Sequence, residues 1–164
     1  MKKIQHTKAN YSKITNSIYV GTSFCCQVHF DKGLLKKGIR VDISLQEAQV
    51  ATPFGVECYL WLPVKDHYAP SSYQFAVGVL CIAESLKKKR KVYVHCRNGH
   101  GRAPTMVAAY FILTGLSAKE ALKKIRNKRG IHLRKTQVAA LEKFAKLFRA
   151  KNIDVKKYIR RMSC

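Results

Sequence analysis

The sequence predicts a single α/β domain with a central, mostly parallel sheet of about four to five strands flanked by helices. Three observations carry this. Short stretches of period-two apolar alternation are separated along the chain by stretches of helical period, the pattern of strands joined by helical crossovers. The helical stretches carry their own start and stop signals. The length, 164 residues, fits one domain of the usual ~100–200 residues. Hydrophobic residues make up 47% of the chain, enough for a core and too many for a disordered polymer.

Each element follows in order. Ser17 to Gly21 reads as a short strand ending in a turn. Asp31 to Lys37, stopped by Gly38, reads as a short helix. Ile39, Val41, Ile43 and Leu45 alternate with the polar residues Arg40, Asp42 and Ser44, and Val56, Cys58, Leu60 and Leu62 alternate with Glu57, Tyr59 and Trp61, giving two further strands. A loop with Pro63, Asp66 and Pro70 comes next. Ser71 or Ser72 caps a helix whose inward residues recur as Phe75, Ala76, Val79, Leu80, Ala83 and Leu86. Lys91 to His95 is another strand. Pro104 suits the first turn of an apolar helix running to about residue 114, with Gly115 as its stop. Ser117-Ala118-Lys119-Glu120 is a capping box, with Ala121, Leu122 and Ile125 facing inward and Gly130 ending the helix. Val138, Leu141, Phe144 and Phe148 mark an amphipathic helix. Val155, Tyr158, Ile159 and Met162 mark a last basic one. The domain is expected to occupy 1–164, with its core at about 12–150 and residues 151–164 as a basic tail or helix.

Charge narrows the partners. The net formal charge is +23. Residues 1–66 contribute +4 and residues 67–164 contribute +19. Such a field suits nucleic acid, an anionic membrane surface or phosphorylated molecules. Two basic stretches have plainer readings. Lys87 to Lys91 resembles a nuclear targeting run, but it ends a helix, where cations suit the dipole, and leads into a buried strand. The basic segment at 143–164 reads as a packed terminal helix with a solvated face, or as a helix lying on a membrane. No apolar run approaches the ~18–20 residues of a membrane span. The basic N-terminus leads into no apolar segment, so no secretory signal is expected.

The six cysteines, Cys25, Cys26, Cys58, Cys81, Cys96 and Cys164, include no CxxC pair, so a zinc site is not expected. Cys58 and Cys81 lie in apolar stretches and are expected in the core. Cys25-Cys26 reads as loop or core. A reducing, cytoplasmic setting is the expectation.

Cys96 stands apart because of its neighbours. The segment Val94-His95-Cys96-Arg97-Asn98-Gly99-His100-Gly101-Arg102 lies between a strand and a helix N-terminus. Free backbone N–H groups and the helix dipole make that junction an anion site. Gly99 and Gly101 let the backbone turn so that its amides converge on one oxyanion. Arg102 adds a planar fork for two phosphate oxygens. Cys96 opens the loop, which places its sulfur below the bound anion, in surroundings that favour a thiolate and in-line attack on phosphorus.

His95-Cys96-Arg97-Asn98-Gly99-His100-Gly101-Arg102-Ala103-Pro104-Thr105 is the Cys-x5-Arg signature of the cysteine-dependent phosphatases. The chain resembles their dual-specificity branch over about residues 12–150, with further support from Ile18 to Gly21 and from Pro63-Val64-Lys65-Asp66. The resemblance implies a dual-specificity-phosphatase-like fold, with Cys96 as nucleophile and Arg102 as phosphate clamp. His95 would orient the loop and support the thiolate. The leaving oxygen needs a proton, and Asp66 stands where this family places its general acid, 30 residues before Cys96. Arg97 and His100 face either substrate or solvent. Gln137 resembles a family glutamine that positions water, although a helix-surface residue is the expectation. The family commonly has Ser or Thr after the arginine, to stabilise the departing thiolate. Here it is Ala103, with Thr105 two residues on. No metal or other cofactor is expected.

The resemblance implies a protein tyrosine or dual-specificity phosphatase acting through a phosphocysteine, with a phosphorylated protein as substrate and a monomer as the expected state. Alternatives remain. Val92 to Cys96, Thr105 to Tyr110 and Ile131-His132-Leu133-Arg134 resemble the mitochondrial phosphatidylglycerophosphate phosphatases, which implies a phospholipid headgroup and an anionic membrane. An RNA 5′-phosphatase and a catalytically weak phosphate-binding module are the others.

Overall fold

The computed structural model describes residues 9–23 and 30–150. Ten elements follow one another: β1 (Tyr11–Lys13), β2 (Ile18–Thr22), α1 (Lys32–Lys36), β3 (Ile39–Ser44), β4 (Cys58–Trp61), α2 (Ser72–Lys87), β5 (Lys91–Cys96), α3 (Arg102–Leu113), α4 (Ala118–Arg126) and α5 (Lys135–Ala150). The five strands form one sheet in the order β1-β2-β5-β3-β4. β2, β5, β3 and β4 run parallel, and β1 adds an antiparallel edge. The expected mostly parallel sheet is therefore present, with β1 as an element the sequence reading did not place.

Both faces of the sheet are covered, as a parallel sheet requires. Along β5, Val92, Val94 and Cys96 join the large apolar cluster that includes Val79, Met106, Ala109 and Ile125. Tyr93 joins a smaller cluster on the other face with Tyr19, Phe30, Leu34 and Ile39. A register shift between Ile39 and Val41 sends Ile39 to the small cluster and Val41 and Ile43 to the large one. Asp42 lies opposite Tyr93 and Ser44 opposite His95.

The helices begin where their caps predict. Asp31 accepts from the Leu34 N–H at 2.9 Å. Ser71/Gln74 and Ser117/Glu120 form complete capping boxes. Gly115, at φ +106°, follows the C-cap of α3. Three details differ from expectation. Helix α4 stops at Arg126, and Gly130 lies beyond it in a loop. Ala76 is exposed, and Gly78 takes the inward place on α2 because Met106 packs against it and leaves no room for a side chain. Cys58 is exposed and Cys81 only partly buried, because β4 is an edge strand whose apolar alternation is only half covered. The basic run at 87–91 ends α2 and enters β5, with Arg90 paired to Glu57 at 2.6 Å and Lys91 donating to the Lys37 carbonyl at 2.7 Å. The readings for Cys25, Cys26, Cys164 and the last basic helix, as well as the Phe148 side chain, lie outside the described residues.

Candidate active site

The loop 96–101 leaves the carboxyl end of β5, the middle strand of the sheet. Ligands of open parallel sheets bind at such strand ends. Its start is pinned from both sides: Leu45 N–H donates to the His95 carbonyl and Ser23 N–H to the Cys96 carbonyl, both at 2.8 Å. Its end is the N-terminus of α3, where the N-cap, Gly101, makes no side-chain capping bond. The first-turn N–H groups of Arg102 and Ala103 are thus left for a ligand, and Pro104 has none to leave. Gly99 has φ +67°, and a Cβ there would meet the Gly21 carbonyl oxygen within 2.4 Å. Only glycine fits that close approach.

Below the loop lies a buried acid that the sequence reading did not assign. His95 Nε2 is 3.2 Å from Asp42 Oδ1, and the two side chains are 3% and 0% exposed. A carboxylate so deep needs a partner, and the pair fixes the imidazole at the base of Cys96. The ring also stacks on Tyr93 at 5.3 Å. The Tyr93 hydroxyl donates to the Thr22 carbonyl at 2.6 Å. Burial, aided by Asp42, pushes the Tyr93 phenol well above its ordinary range, so it stays a donor.

Outside the loop sits a second residue absent from the sequence reading, Arg129, 6% exposed. Its Nε donates to the Gly99 carbonyl at 2.8 Å and its Nη2 to the Asn98 carbonyl at 3.2 Å. Its Nη1 donates to Asn10 Oδ1 at 2.9 Å and to Ser12 Oγ at 3.4 Å, on and beside β1. Burial lowers its pKa, with Tyr93 and Cys96 opposing that shift. In a trans peptide the carbonyl and the following N–H point opposite ways. Drawing the carbonyls of Asn98 and Gly99 outward therefore turns the N–H groups of Gly99 and His100 toward the inside of the loop.

Arg102 occupies the inside. It is 3% exposed, and its Nη1 donates to the Val64 carbonyl at 2.8 Å and to that of Leu45 at 3.3 Å. Its Nη2 lies 3.1 Å from Asp66 Oδ1. Its Nε–H is buried without a protein partner, a donor that an oxyanion in the loop would satisfy. Cys96, Arg102 and Asp66 line one cavity of about 450 Å³, together with His67, Asn98, His100, Gly101, His132, Leu133, Arg134 and Gln137. The three residues expected to act on phosphorus are thus brought together.

The acid loop is held by named contacts. Asp66 N–H donates to Glu47 Oε1 at 2.8 Å. His67, at the left-handed φ of +69°, accepts from Arg134 Nε at 3.3 Å, and its carbonyl accepts from Thr136 Oγ1 at 3.3 Å. Gln137 donates to the Tyr68 carbonyl at 2.9 Å and accepts from the Arg134 N–H at 3.0 Å. Gln137 is only 1% exposed, so the expectation of a surface residue fails: α5 turns this face toward the loop. It lines the cavity, where a water would stand, but its amide is already spent on backbone. Thr105 Oγ1 donates to the Gly101 carbonyl at 2.8 Å, which commits its only hydroxyl proton. His100 lines the cavity and its Nδ1–H donates to the Gly130 carbonyl at 2.8 Å. Arg97 is exposed and lines an adjoining cavity of about 330 Å³ that shares Asp66 and Arg102. Asn98 is exposed, and its carbonyl is the one held by Arg129.

Comparison with known proteins agrees with this geometry. A family model described as "Tc-R-P: Polymorphic toxin system, DSP-PTPase phosphatase" matches residues 22–116. The chain is 44% identical over 62 residues to the human "Phosphatidylglycerophosphatase and protein-tyrosine phosphatase 1", a match covering 37% of this chain and 31% of that protein. It is 37% identical over 75 residues to human "Dual specificity protein phosphatase 5", covering 44% of this chain and 20% of that protein. The match therefore spans under a third of the length of either relative. The crystal structure of PTPMT1 in complex with PI(5)P superposes with a TM-score of 0.72 at 25% identity, covering 87% of this chain and 98% of that one. The family model takes in the end of β2, the cysteine loop and all of α3, more than half of the sequence, and the chain belongs to the DSP-PTPase phosphatases, a cysteine-based family of phosphoester hydrolases.

Proposed function

We propose that the chain is a protein tyrosine/dual-specificity phosphatase that works through a cysteinyl-phosphate. The observation that carries this is the buried, unpartnered Nε–H of Arg102, in a cavity that Arg102 lines together with Cys96 and Asp66. A phosphate monoester entering the loop would take the inward N–H groups and the Arg102 fork. The Cys96 sulfur would attack phosphorus as the ester oxygen departs with the proton of Asp66. Water, giving its proton to Asp66, would then cleave the S–P bond, release inorganic phosphate and restore the thiolate. Phosphoryl charge in this scheme is met by Arg102 and backbone amides.

A phospholipid headgroup is the second reading. It is supported by the relative named phosphatidylglycerophosphatase, by the PI(5)P held by the superposed PTPMT1, and by Arg134 and His132 on the rim of the cavity. Two measurements test both. Hydrolysis of p-nitrophenyl phosphate, abolished by Cys96→Ser, is expected; an inactive wild type would leave only phosphate binding. A panel of phosphotyrosine peptide, phosphatidylglycerophosphate, phosphoinositide and 5′-triphosphorylated RNA then ranks substrates by kcat/KM. The peptide is expected first, and a lipid ranking above it overturns the first reading. Asp66→Ala should depress alkyl phosphates about 10²-fold or more, the range of general acid catalysis, and aryl phosphates much less. Equal loss on both removes Asp66 from the acid role.

A further inference from the structure

Hydrolysis of a cysteinyl-phosphate needs a held water, and Gln137 is not free to hold it. Its amide already donates to the Tyr68 carbonyl and accepts from the Arg134 N–H. Another glutamine stands beside two groups that the step uses. Gln46 lies two residues past the end of β3 and is 7% exposed. Both of its backbone groups are tied: its N–H donates to Ser44 Oγ at 3.3 Å, and its carbonyl accepts from Trp61 Nε1 at 2.6 Å. Its side-chain Oε1 accepts from Arg102 Nη2 at 3.5 Å. Arginine only donates, so the amide oxygen faces the guanidinium and the amide nitrogen is left over. Among the described residues that nitrogen meets no protein acceptor. Gln46 lines the cavity of about 330 Å³ that shares Asp66 and Arg102 with the catalytic one. The same Arg102 Nη2 lies 3.1 Å from Asp66 Oδ1. Gln46 and Asp66 therefore flank one guanidinium nitrogen, a separation that a single bridging water covers.

We propose that Gln46 holds the water that hydrolyses the cysteinyl-phosphate, a role that rests on the phosphatase reading above. A water between Gln46 and Asp66 accepts from the Gln46 amide nitrogen with one lone pair and donates one proton to the Asp66 carboxylate. Its other lone pair is left for phosphorus. The P–O bond forms as the S–P bond breaks. The electron pair of that bond returns to the Cys96 sulfur as thiolate, the water proton passes to Asp66, and inorganic phosphate leaves. Asp66 gave up its proton to the ester oxygen in the first step, so it is ionised at this stage and regains the proton here.

The two steps separate the roles. Transfer of the phosphoryl group to sulfur uses no water, so Gln46 should act on the second step alone. Losing one hydrogen bond to the reacting water should slow that step about tenfold. Arg102 keeps its bonds to the Val64 and Leu45 carbonyls and its pairing with Asp66 when Gln46 is replaced. Oxyanion binding and the first step should therefore change little.

The test uses the full-length protein with Gln46→Met, which fills similar space without an amide, and Gln46→Ala as a second variant. Rapid-quench kinetics with radiolabelled p-nitrophenyl phosphate follows the protein-bound label as it forms and decays. In both variants the label should form at about the wild-type rate and decay about tenfold more slowly, with vanadate inhibition within about threefold of wild type. With glycerol present, the intermediate of Gln46→Ala should yield a larger share of glycerol phosphate than that of the wild type, because water has lost its holder and the alcohol had none to lose. Formation and decay slowed in equal proportion would show Gln46 acting through Arg102 on both steps and would overturn the proposal. Unchanged decay in both variants overturns it as well. A wild type that never takes up label overturns the cysteinyl-phosphate reading itself, and this inference with it.

Discussion

Replacing Arg129 with methionine tests how the loop is shaped. The side chain keeps its apolar stem but loses the donors to the Asn98 and Gly99 carbonyls, at 3.2 and 2.8 Å, and to Asn10 and Ser12. Asn98 is exposed, so water can replace that donor, whereas Gly99 is buried and its carbonyl is left unsatisfied. One such group costs about 1–3 kcal/mol, which lowers the melting temperature by about 2–12 °C in a domain of this size. The effect on catalysis should be larger. The two peptide planes lose what turns their N–H groups inward, and each hydrogen bond to a phosphoryl group counts for about 1.5–3 kcal/mol. Misaligning both, without abolishing either, costs about 2–4 kcal/mol, or about 30- to 10³-fold in kcat/KM. Arg129→Lys keeps the charge without the fork and should fall between. The assays are kcat/KM for p-nitrophenyl phosphate, the inhibition constant of vanadate and a thermal melt. Oxyanion affinity should fall in protein that is still folded. A folded Arg129→Met enzyme with kcat/KM and vanadate affinity within threefold of wild type would refute the reasoning.

Two further predictions concern residues around the loop. Ala103→Ser supplies the hydroxyl that Thr105 cannot give while it donates to Gly101. One hydrogen bond to the departing thiolate should raise the rate of cysteinyl-phosphate hydrolysis about tenfold or more. Pre-steady-state kinetics reads this as a burst in the wild type that shrinks in the variant, and absence of a wild-type burst with every substrate would sink the idea. Gln137→Ala frees the Tyr68 carbonyl and loosens the acid loop, so alkyl phosphates should suffer about tenfold more than aryl phosphates. Equal loss on both would instead support a water-positioning role for the glutamine.

The chemistry of the site was legible because it is local. Cys96 through Arg102 are contiguous, and strand, glycines and helix start each leave a mark on composition. Asp66 was legible through the family resemblance, which implies a general acid in a loop after a strand at about this distance before the cysteine. Asp42 was not, because polar residues alternating with Ile39, Val41 and Ile43 read as a solvent-facing side. In a sheet covered on both faces that side is also interior, and a carboxylate there is held by a residue far away in sequence. Arg129 was hidden by its company: with Arg126 and Lys128 beside it, it reads as one more charge on a solvated face. The outward carbonyls of a loop 30 residues earlier, together with Asn10 and Ser12, draw it inward. β1 is three residues long, too short to show any period. Cys58 misled for the opposite reason, since an edge strand keeps the apolar alternation of its neighbours after half of the cover is gone.

Two buried guanidiniums divide the work that the net charge of +23 first suggested for the whole surface. Arg129 acts on the outside of the loop, through carbonyl oxygens, and never faces the cavity. Arg102 acts on the inside, where its Nη atoms already hold Val64, Leu45 and Asp66 and its Nε is the donor left over. An incoming phosphate must therefore compete with Asp66 for one side of the fork while gaining the Nε–H outright. Exposed residues such as Arg97 and Arg134 stand in water, where salt screens them over about a Debye length. On the proposed function, they would set the rate of encounter and the choice among anionic molecules. On the proposed mechanism, the strength of the grip on a phosphoryl group would rest on the two arginines that the fold has withdrawn from solvent.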